Sequence, residues 1–581
     1  MNTKSKTSHF KLNQYYATAI SGNDILSSAL YVSGIACIFA GVYAPVVLAI
    51  IALVLYFYKA VYIEVVEALP INGGAYNCLL NGTSKTVAAI AGVTTILSYI
   101  ATAVISAKVA VEYVNTVIPI PVIPATIGLL FAFAVLVISG LKDSAKVALG
   151  IFIFHIFTLV AFLIIGAIFF FKGNSHFWEN FQITSQTLSS KGLLMALFFG
   201  FSSSLLGVSG FESSANFVEE QAPGVFRKTL RNMLIGVAIF NPLIALVVIN
   251  SASLGVIANA KDFLLADIAR ILGGQVFQYL VVVDAFMVLA GAVMTAYIGV
   301  GGLIYRMAAD ACLPGFLTKK NNKGSYPKIV IAFFVLCASI LLATKGDLLS
   351  LAGVYTIAFL TVMSLFALGN LILRQTRTEL KRTYNAPILF VLLALISTTI
   401  GIIGNVELNP INLRFFMIYF IPAILLVLAI VYQDFNIQLI LNFTKNIPFL
   451  HKYVFDHFED ITSGTVIAFI NHTNRLHSIL QYINNNETAR KIILVHCRNW
   501  DLQDDLKRHS EIERLIPALQ EAGVYPHLDI KLYYENEPFG KKAIQNVSKK
   551  FRVRVNRIMI GSIHHFHDFD YSDLDGVRII F

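Results

Sequence analysis

Gly22-Asn23-Asp24-Ile25-Leu26-Ser27-Ser28-Ala29-Leu30-Tyr31-Val32-Ser33-Gly34 opens the first long apolar stretch of this chain, and it makes a poor lipid-facing helix. A segment of similar make-up, Val208-Ser209-Gly210-Phe211-Glu212-Ser213-Ser214-Ala215-Asn216, lies five apolar stretches later. Each combines one acid with a Ser-Ser-Ala run and flanking glycines. Short polar, glycine-interrupted segments at matching places in two halves point to broken helices of inverted repeats, with a substrate site between them. The breaks free backbone amides and carbonyls, which at membrane depth must be buried in protein or line a cavity. Close helix packing accounts for the serines and glycines. It does not account for two carboxylates, each costing about 2.5–3.5 kcal/mol at a helix centre. Asp24 and Glu212 are therefore the first candidates for a substrate or ion site.

The rest of the chain supports a membrane reading. Of 581 residues, 56% are hydrophobic and only 13% charged, against about 25% charged in ordinary soluble domains. That excludes a soluble enzyme, a disordered chain and a disulfide scaffold. Runs such as Pro45–Tyr58, Val147–Phe171 and Ile418–Tyr432 are nearly free of charge, and several exceed the ~18–20 residues needed to cross a bilayer. The net charge of +10 is spread over connections and the C-terminal region, so it does not mark a nucleic-acid surface. The five cysteines show no metal-like spacing, and no bound metal or cofactor is expected. The polar first eighteen residues contain no visible cleavable signal.

About twelve spans are predicted, near 24–41, 44–66, 86–114, 122–140, 147–171, 194–218, 233–255, 276–304, 327–343, 348–373, 386–404 and 413–432. Lys and Arg are concentrated in the amino-terminal segment and the even-numbered connections, for example Lys85, Arg227, Lys228, Arg306, Lys319, Lys320, Arg374 and Arg382. The positive-inside rule then puts both termini in the cytoplasm. The expected organisation is an amino-terminal segment 1–23, a membrane body 24–432, a linker 433–462 and a C-terminal cytoplasmic α/β domain 463–581. Apolar runs at 465–470, 491–496, 529–534, 557–561 and 577–581 read as strands. Amphipathic stretches near 474–484, 505–521 and 540–550 read as the crossover helices of a small parallel sheet.

Other ionisable groups fall within the spans. Lys108 and Glu112, one helical turn apart, are expected to pair. Lys59, Glu64 and Glu67 sit near the end of the second span, where long side chains can reach water. His155 and Asp284 are either interior hydrogen-bonding groups or part of a proton-coupling path; an unperturbed histidine titrates near 6.5.

Three stretches resemble the amino acid–polyamine–organocation (APC) superfamily: Pro70-x-x-Gly73-Gly74-x-Tyr76, then Gly210-Phe211-Glu212 with Glu219-Glu220 and Pro223, and Arg306-Met307-Ala308-Ala309-Asp310 with Leu313-Pro314. Over about residues 15–432 the resemblance implies an α-helical membrane protein of the LeuT type, with a five-plus-five inverted repeat, two further helices and alternating access. The first span departs from amino acid permeases, which usually hold the substrate carboxylate with the free amides of a Gly-rich break. Asp24-Ile25-x-Ser27-Ser28-x-Leu30-Tyr31 is instead similar to the KUP and KimA-type potassium importers, which keep an acid seven residues before a tyrosine. On that resemblance Asp24, Tyr31, Tyr99, Thr102, Ser106, Ser209 and Glu212 form the binding site. Glu212, His155 and Asp284 are the candidates for proton coupling. Two departures stand against it: Ser98 replaces an acid those proteins carry before the third-span tyrosine, and Ala352 falls where they have a tenth-span tyrosine, with Tyr355 nearby.

The C-terminal region, about 463–581, resembles universal stress protein domains, and its Asn556–Ser562 ending resembles the strand and Gly-Ser turn of that fold. The further glycines that cradle phosphates are replaced by Ile563-His564-His565-Phe566-His567-Asp568, so ATP binding is not expected. A solvated loop or a contact between tail and membrane body accounts for His564, His565 and His567 more simply than a metal site. The expected protein is no enzyme. It is a multi-pass cell-membrane transporter that takes protons and a small cation, potassium first, or else an amino acid. A transporter-like sensor is the alternative of a different class, and the tail suits a homodimer contact.

Overall fold

Whether the two acid-bearing segments break their helices is decided by where their backbone groups find partners. The computed structural model describes residues 11–581 apart from 141–143, 174, 379, 446, 448, 450–463, 472, 488, 499–501, 522–524, 526–527, 562–576 and 581. Two compact units are present, and they divide the chain discontinuously: 1–82, 90–304 and 320–423 against 83–89, 305–319 and 424–581.

The helices of the first unit run α1 (Gln14–Ser27), α2 (Ala29–Ala40), α3 (Ala44–Ala68), α4 (Gly74–Gly82), α5 (Lys85–Asn115), α6 (Val122–Ile138), α7 (Ser144–Phe171), α8 (Phe177–Lys191), α9 (Leu193–Ser204), α10 (Val225–Ser251), α11 (Leu254–Asn259), α12 (Leu264–Ala309), α13 (Pro327–Ala343), α14 (Leu348–Thr376), α15 (Ile388–Leu408) and α16 (Pro410–Val431). The start of α5, the end of α12 and the end of α16 belong to the second unit. Among the described residues nine helical stretches are long and apolar enough to cross a membrane, and α6 and α13 are shorter apolar helices. The first of the nine, Gln14–Ala68, contains α1, α2 and α3.

The two breaks differ. The first interrupts the helix only at Ser28, whose own backbone stays helical (φ −63°, ψ −26°). Here the hydroxyls of Ser27 and Ser28 donate to the carbonyls of Asp24 and Ile25 at 2.7 and 2.6 Å. Such back-bonding competes with the helical ladder and bends it. The second break is wide. α9 ends at Ser204, 3-10 turns follow at Leu205–Val208 and Glu212–Asn216, and between them Ser209 is extended while Gly210 takes φ +90°. The sequence reading made the two interruptions alike; the pair of Gly207 and Gly210 makes the second one far larger. α12 also turns within its length, at Gly274 (φ +73°).

The second unit holds α17 (Gln433–Thr444), inside the expected linker, and then a five-stranded parallel sheet. Its strands are β1 (Thr465–Phe469), β2 (Lys491–Cys497), β3 (Asp529–Glu535), β4 (Ile558–Gly561) and β5 (Arg578–Ile580), in the order β3-β2-β1-β4-β5. The register aligns Val466 with Ile492 and Ile492 with Ile530. The crossover helices are α18 (Leu476–Asn486), α19 (Leu502–Glu521) and α20 (Lys541–Phe551). Strands buried on both faces need continuous apolar runs. Ile467, Ile493, Val495, Ile558 and Ile560 supply one face of this core, closed by Ala543, Ile544 and Val547 of α20. His564, His565 and His567 lie outside the described residues.

The same unit contains a buried ion cluster. Glu487 accepts from Lys85 and from Arg578 through one carboxylate oxygen, and the Lys85 backbone N–H donates to Asn486 at 2.9 Å. Nearby Arg306 pairs with Asp310 at 3.1 Å. Burial pushes the Glu487 carboxyl up, but Arg578 and then Lys85 more than offset this and hold it below the ordinary carboxylate range.

Candidate functional site

The wide second break carries Glu212 into contact with its own backbone. Gly210 N–H donates to Glu212 Oε2 at 3.1 Å, and the amides of Ser209, Phe211 and Ser213 are taken by the carbonyls of Leu206, Val208 and Gly210. Gly210 also lies against the first break. A Cβ there would stand 2.9 Å from Asp24 Cγ and 3.0 Å from the Ile25 nitrogen. Only glycine fits such an approach at a positive φ. Ser28 closes the crossing from the other side, its hydroxyl also donating to Gly207 O at 3.1 Å.

Asp24 and Glu212 are 6% and 8% exposed and close enough to feel each other's charge. Ser213 lies beside the Asp24 carboxylate while its hydroxyl donates to Gly210 O at 2.6 Å, and Ser209 lies beside the phenols of both Tyr31 and Tyr355. Tyr99 lies within range of both acids and accepts from Asn216 Nδ2 at 2.5 Å. Tyr62 stands beside Glu212 and stacks on Phe366 at 4.1 Å between centroids. Asp24, Tyr31, Tyr99, Ser209 and Glu212 are thus brought together. Thr102 and Ser106 are buried on α5, but the Thr102 hydroxyl donates to Ser98 O of its own helix at 2.9 Å. Among the described residues no hydrogen bond ties Ser106 to either acid.

Sequence reasoning left Ser213, Asn216 and Tyr62 out of the candidate set and noted Tyr355 only as a neighbour of Ala352. For Tyr355 a signal existed: it stands three residues past Ala352, almost one helical turn. A tyrosine in an apolar span otherwise reads as core.

His155 of α7 and Asp284 of α12 meet at 2.8 Å, both fully buried. The other ring nitrogen of His155 faces Leu26 O at 3.4 Å, two residues before the first break at Ser28. Among the described residues Asp284 Oδ1 has no hydrogen-bond partner. Lys108 pairs with Glu112 at 3.2 Å as expected and, more closely, with Asp262 at 2.7 Å. Glu64 corrects an expectation. It does not reach water but is buried, holding Arg374 through both oxygens and accepting from Ala386 N–H at 2.9 Å.

The three resemblance-bearing motifs also acquire physical roles. Asn72 and Glu219 bond reciprocally: Asn72 N–H donates to Glu219 Oε1 and Glu219 N–H to Asn72 Oδ1, both at 3.0 Å. Leu12 N–H donates to Glu220 O at 2.7 Å, and Ala222 N–H returns to Leu12 O at 3.0 Å. The turn after α3, the segment leaving the second break and the chain entering α1 are therefore one hydrogen-bonded knot. Arg306 and Asp310 of the third motif form the ion pair described above.

Apolar helices interrupted by two polar breaks that meet at buried carboxylates are the build of a membrane transporter. The matching family model, described as "Amino acid permease", covers residues 12–430, and the chain belongs to that family. It is 27% identical over 280 residues to the human b(0,+)-type amino acid transporter 1, covering 46% of this chain and 55% of that protein. It is 24% identical over 351 residues to the potassium transporter KimA of Bacillus subtilis, covering 57% of this chain and 56% of that one. These matches span about half the length of the curated relatives. Solved structures of Eremococcus coleocola manganese transporter mutants align over 80% of this chain and 98% of theirs, at 12% identity and TM-scores of 0.46 and 0.48. Relatives and family are transporters, not enzymes, and they leave the substrate open.

Proposed function

We propose that this chain is a secondary-active, proton-coupled importer of a small cation of the potassium class, working in the cell membrane with both termini in the cytoplasm. One observation carries the reading. At the wide break the Gly210 N–H, a donor that could otherwise hold a substrate carboxylate, is already taken by Glu212. A second buried carboxylate, Asp24, faces it across the crossing. Two acids with the phenols of Tyr31, Tyr99 and Tyr355 suit a dehydrated cation and repel a carboxylate. Asp24, Tyr31, Ser209 and Glu212 would bind the cation. Tyr99 would flank it, and Thr102 and Ser106 would line the approach. A lone buried acid pair cannot readily stay doubly charged, so Glu212 is suited to carry a proton when the cation leaves. His155 and Asp284 would pass that proton along α12 and α7 to the first break.

The matching breaks support a LeuT-type inverted repeat, spans one to five against six to ten, of about twelve transmembrane helices. The parallel sheet with its crossover helices supports a universal-stress-protein-like regulatory domain at 463–581, which also suits pairing of two tails. The family match and the human relative favour a second reading, a proton-coupled amino acid permease. Uptake of rubidium against a panel of labelled amino acids, in proteoliposomes under an imposed proton gradient, separates the two. Accumulation of an amino acid with no rubidium uptake would reverse the order.

A further inference from the structure

Beyond the transport site, α3 carries an exposed apolar stripe at Val46, Ile50, Leu53 and Tyr56. From Val46 to Tyr56 the helix rises about 15 Å, the depth of one leaflet of a bilayer core. A second exposed stripe runs along α15 through Leu389, Leu392 and Ile396. The two helices meet where Phe390 packs on Tyr56 and Phe57, with centroids 5.7 and 5.1 Å apart. Above that contact lies a pocket of about 160 Å³ lined by Tyr56, Lys59, Arg227, Tyr384 and Phe390, among others.

The polar groups of this pocket are unbalanced. Arg227 is held through two nitrogens by Glu67, which also accepts from Thr383. That acid is therefore engaged. Lys59 has no carboxylate partner among the described residues; its ammonium lies 5.2 Å from the centre of the Tyr56 ring. The hydroxyls of Tyr56 and Tyr384 likewise bond nothing among the described residues. The aromatic faces are already covered by cations, Tyr56 by Lys59 and Tyr384 by Arg227 at 5.6 Å. An ammonium and two hydroxyls thus converge with no acceptor of their own, at the head of two lipid-facing stripes.

We propose that this pocket seats the phosphate headgroup of one anionic phospholipid, whose acyl chains lie along the α3 and α15 stripes. Lys59 supplies the charge, and the Tyr56 and Tyr384 hydroxyls donate to phosphate oxygens. A zwitterionic lipid finds nothing for its quaternary ammonium, because Glu67 is paired and both rings are occupied. Lys59 is thereby distinguished from a lysine that only extends to water.

The test is native mass spectrometry of the full chain in detergent with dioleoylphosphatidylglycerol or dioleoylphosphatidylcholine, for wild type, Lys59→Gln and Lys59→Arg. The expected result is one tightly retained phosphatidylglycerol on wild type and on Lys59→Arg. Retention should fall at least tenfold in Lys59→Gln, phosphatidylcholine should not replace the anionic lipid, and millimolar inorganic phosphate should not displace it. Equal retention in wild type and Lys59→Gln, equal retention of the two lipids, or displacement by inorganic phosphate would each overturn it. Should Lys59→Gln prove unstable, Tyr384→Phe in the same assay decides, with weakened retention expected and unchanged retention refuting.

Discussion

Asp24→Asn separates the two substrate readings in one substitution. The side chain is nearly isosteric and can keep its contact with Ser213, and the close approach of Gly210 is undisturbed. What changes is a charge at a position only 6% exposed. Breaking a buried charge pair on one side costs about 3–5 kcal/mol. At about 1.4 kcal/mol per decade that is a loss of about 100-fold to 5,000-fold in cation affinity. The assay is rubidium binding and uptake in proteoliposomes, with circular dichroism as a check on folding. Tyr355→Phe in parallel removes one hydrogen bond, worth about 0.5–1.5 kcal/mol, and should weaken rubidium by no more than about tenfold. An amino acid held through its carboxylate should bind Asp24→Asn as well as wild type or better. Rubidium uptake by Asp24→Asn at the wild-type rate refutes the cation site.

Glu212→Gln should abolish gradient-driven accumulation while leaving some substrate binding, as measured by uptake with and without a pH difference across the membrane and by rubidium binding; unaltered accumulation removes Glu212 from coupling. His155→Leu alone leaves the Asp284 carboxylate buried without its partner and should cost about 3–5 kcal/mol of stability. His155→Leu with Asp284→Leu should recover most of that, read by thermal unfolding in detergent, yet not restore proton-driven uptake. Gly210→Ala adds a methyl 2.9 Å from Asp24 Cγ and should silence transport without removing any polar group; normal uptake would show that the two breaks do not meet so closely. In the second unit, Glu487→Gln removes the carboxylate shared by Lys85 and Arg578. Because Glu487 is held below the ordinary range, its contribution is full above its unfolded value near 4.3 and lost as pH falls through the folded value. Wild type and variant should therefore differ in resistance to proteolysis at pH 7 and converge only as pH falls through the depressed folded value.

The tail strands were legible because parallel strands buried on both faces need unbroken apolar runs, and these runs stand out in a polar region. The observed bounds of β1 to β5 fall within a residue or two of those expected. Asp24 and Glu212 were legible for the opposite reason, as charges where charges are costly. Pairings across long sequence separation were not. Nothing local says that His155 faces Asp284, or that Glu64 is held by Arg374, 310 residues away. Tyr355 was noted but not placed in the site, and Tyr62 was passed over, because a phenol within an apolar helix has the same pattern as core. The unequal size of the breaks depends on Gly210 adopting a positive φ, a choice dictated by the neighbouring backbone of Asp24 and Ile25.

The knot formed by Leu12, Asn72, Glu219 and Ala222 bears on how such a molecule opens. A hinge at Ser28 and another around Gly210 would, if independent, let two half-helices swing separately and leave the cavity ajar in several intermediate ways. Two hydrogen bonds tie the chain entering α1 to the segment leaving the second break, and two more tie that segment to the Asn72 turn, which restricts that freedom. Ends tied in this way would move together, and the Asn72-bearing turn after α3 with them. Coupling of this kind would make the two breaks respond jointly, not one at a time.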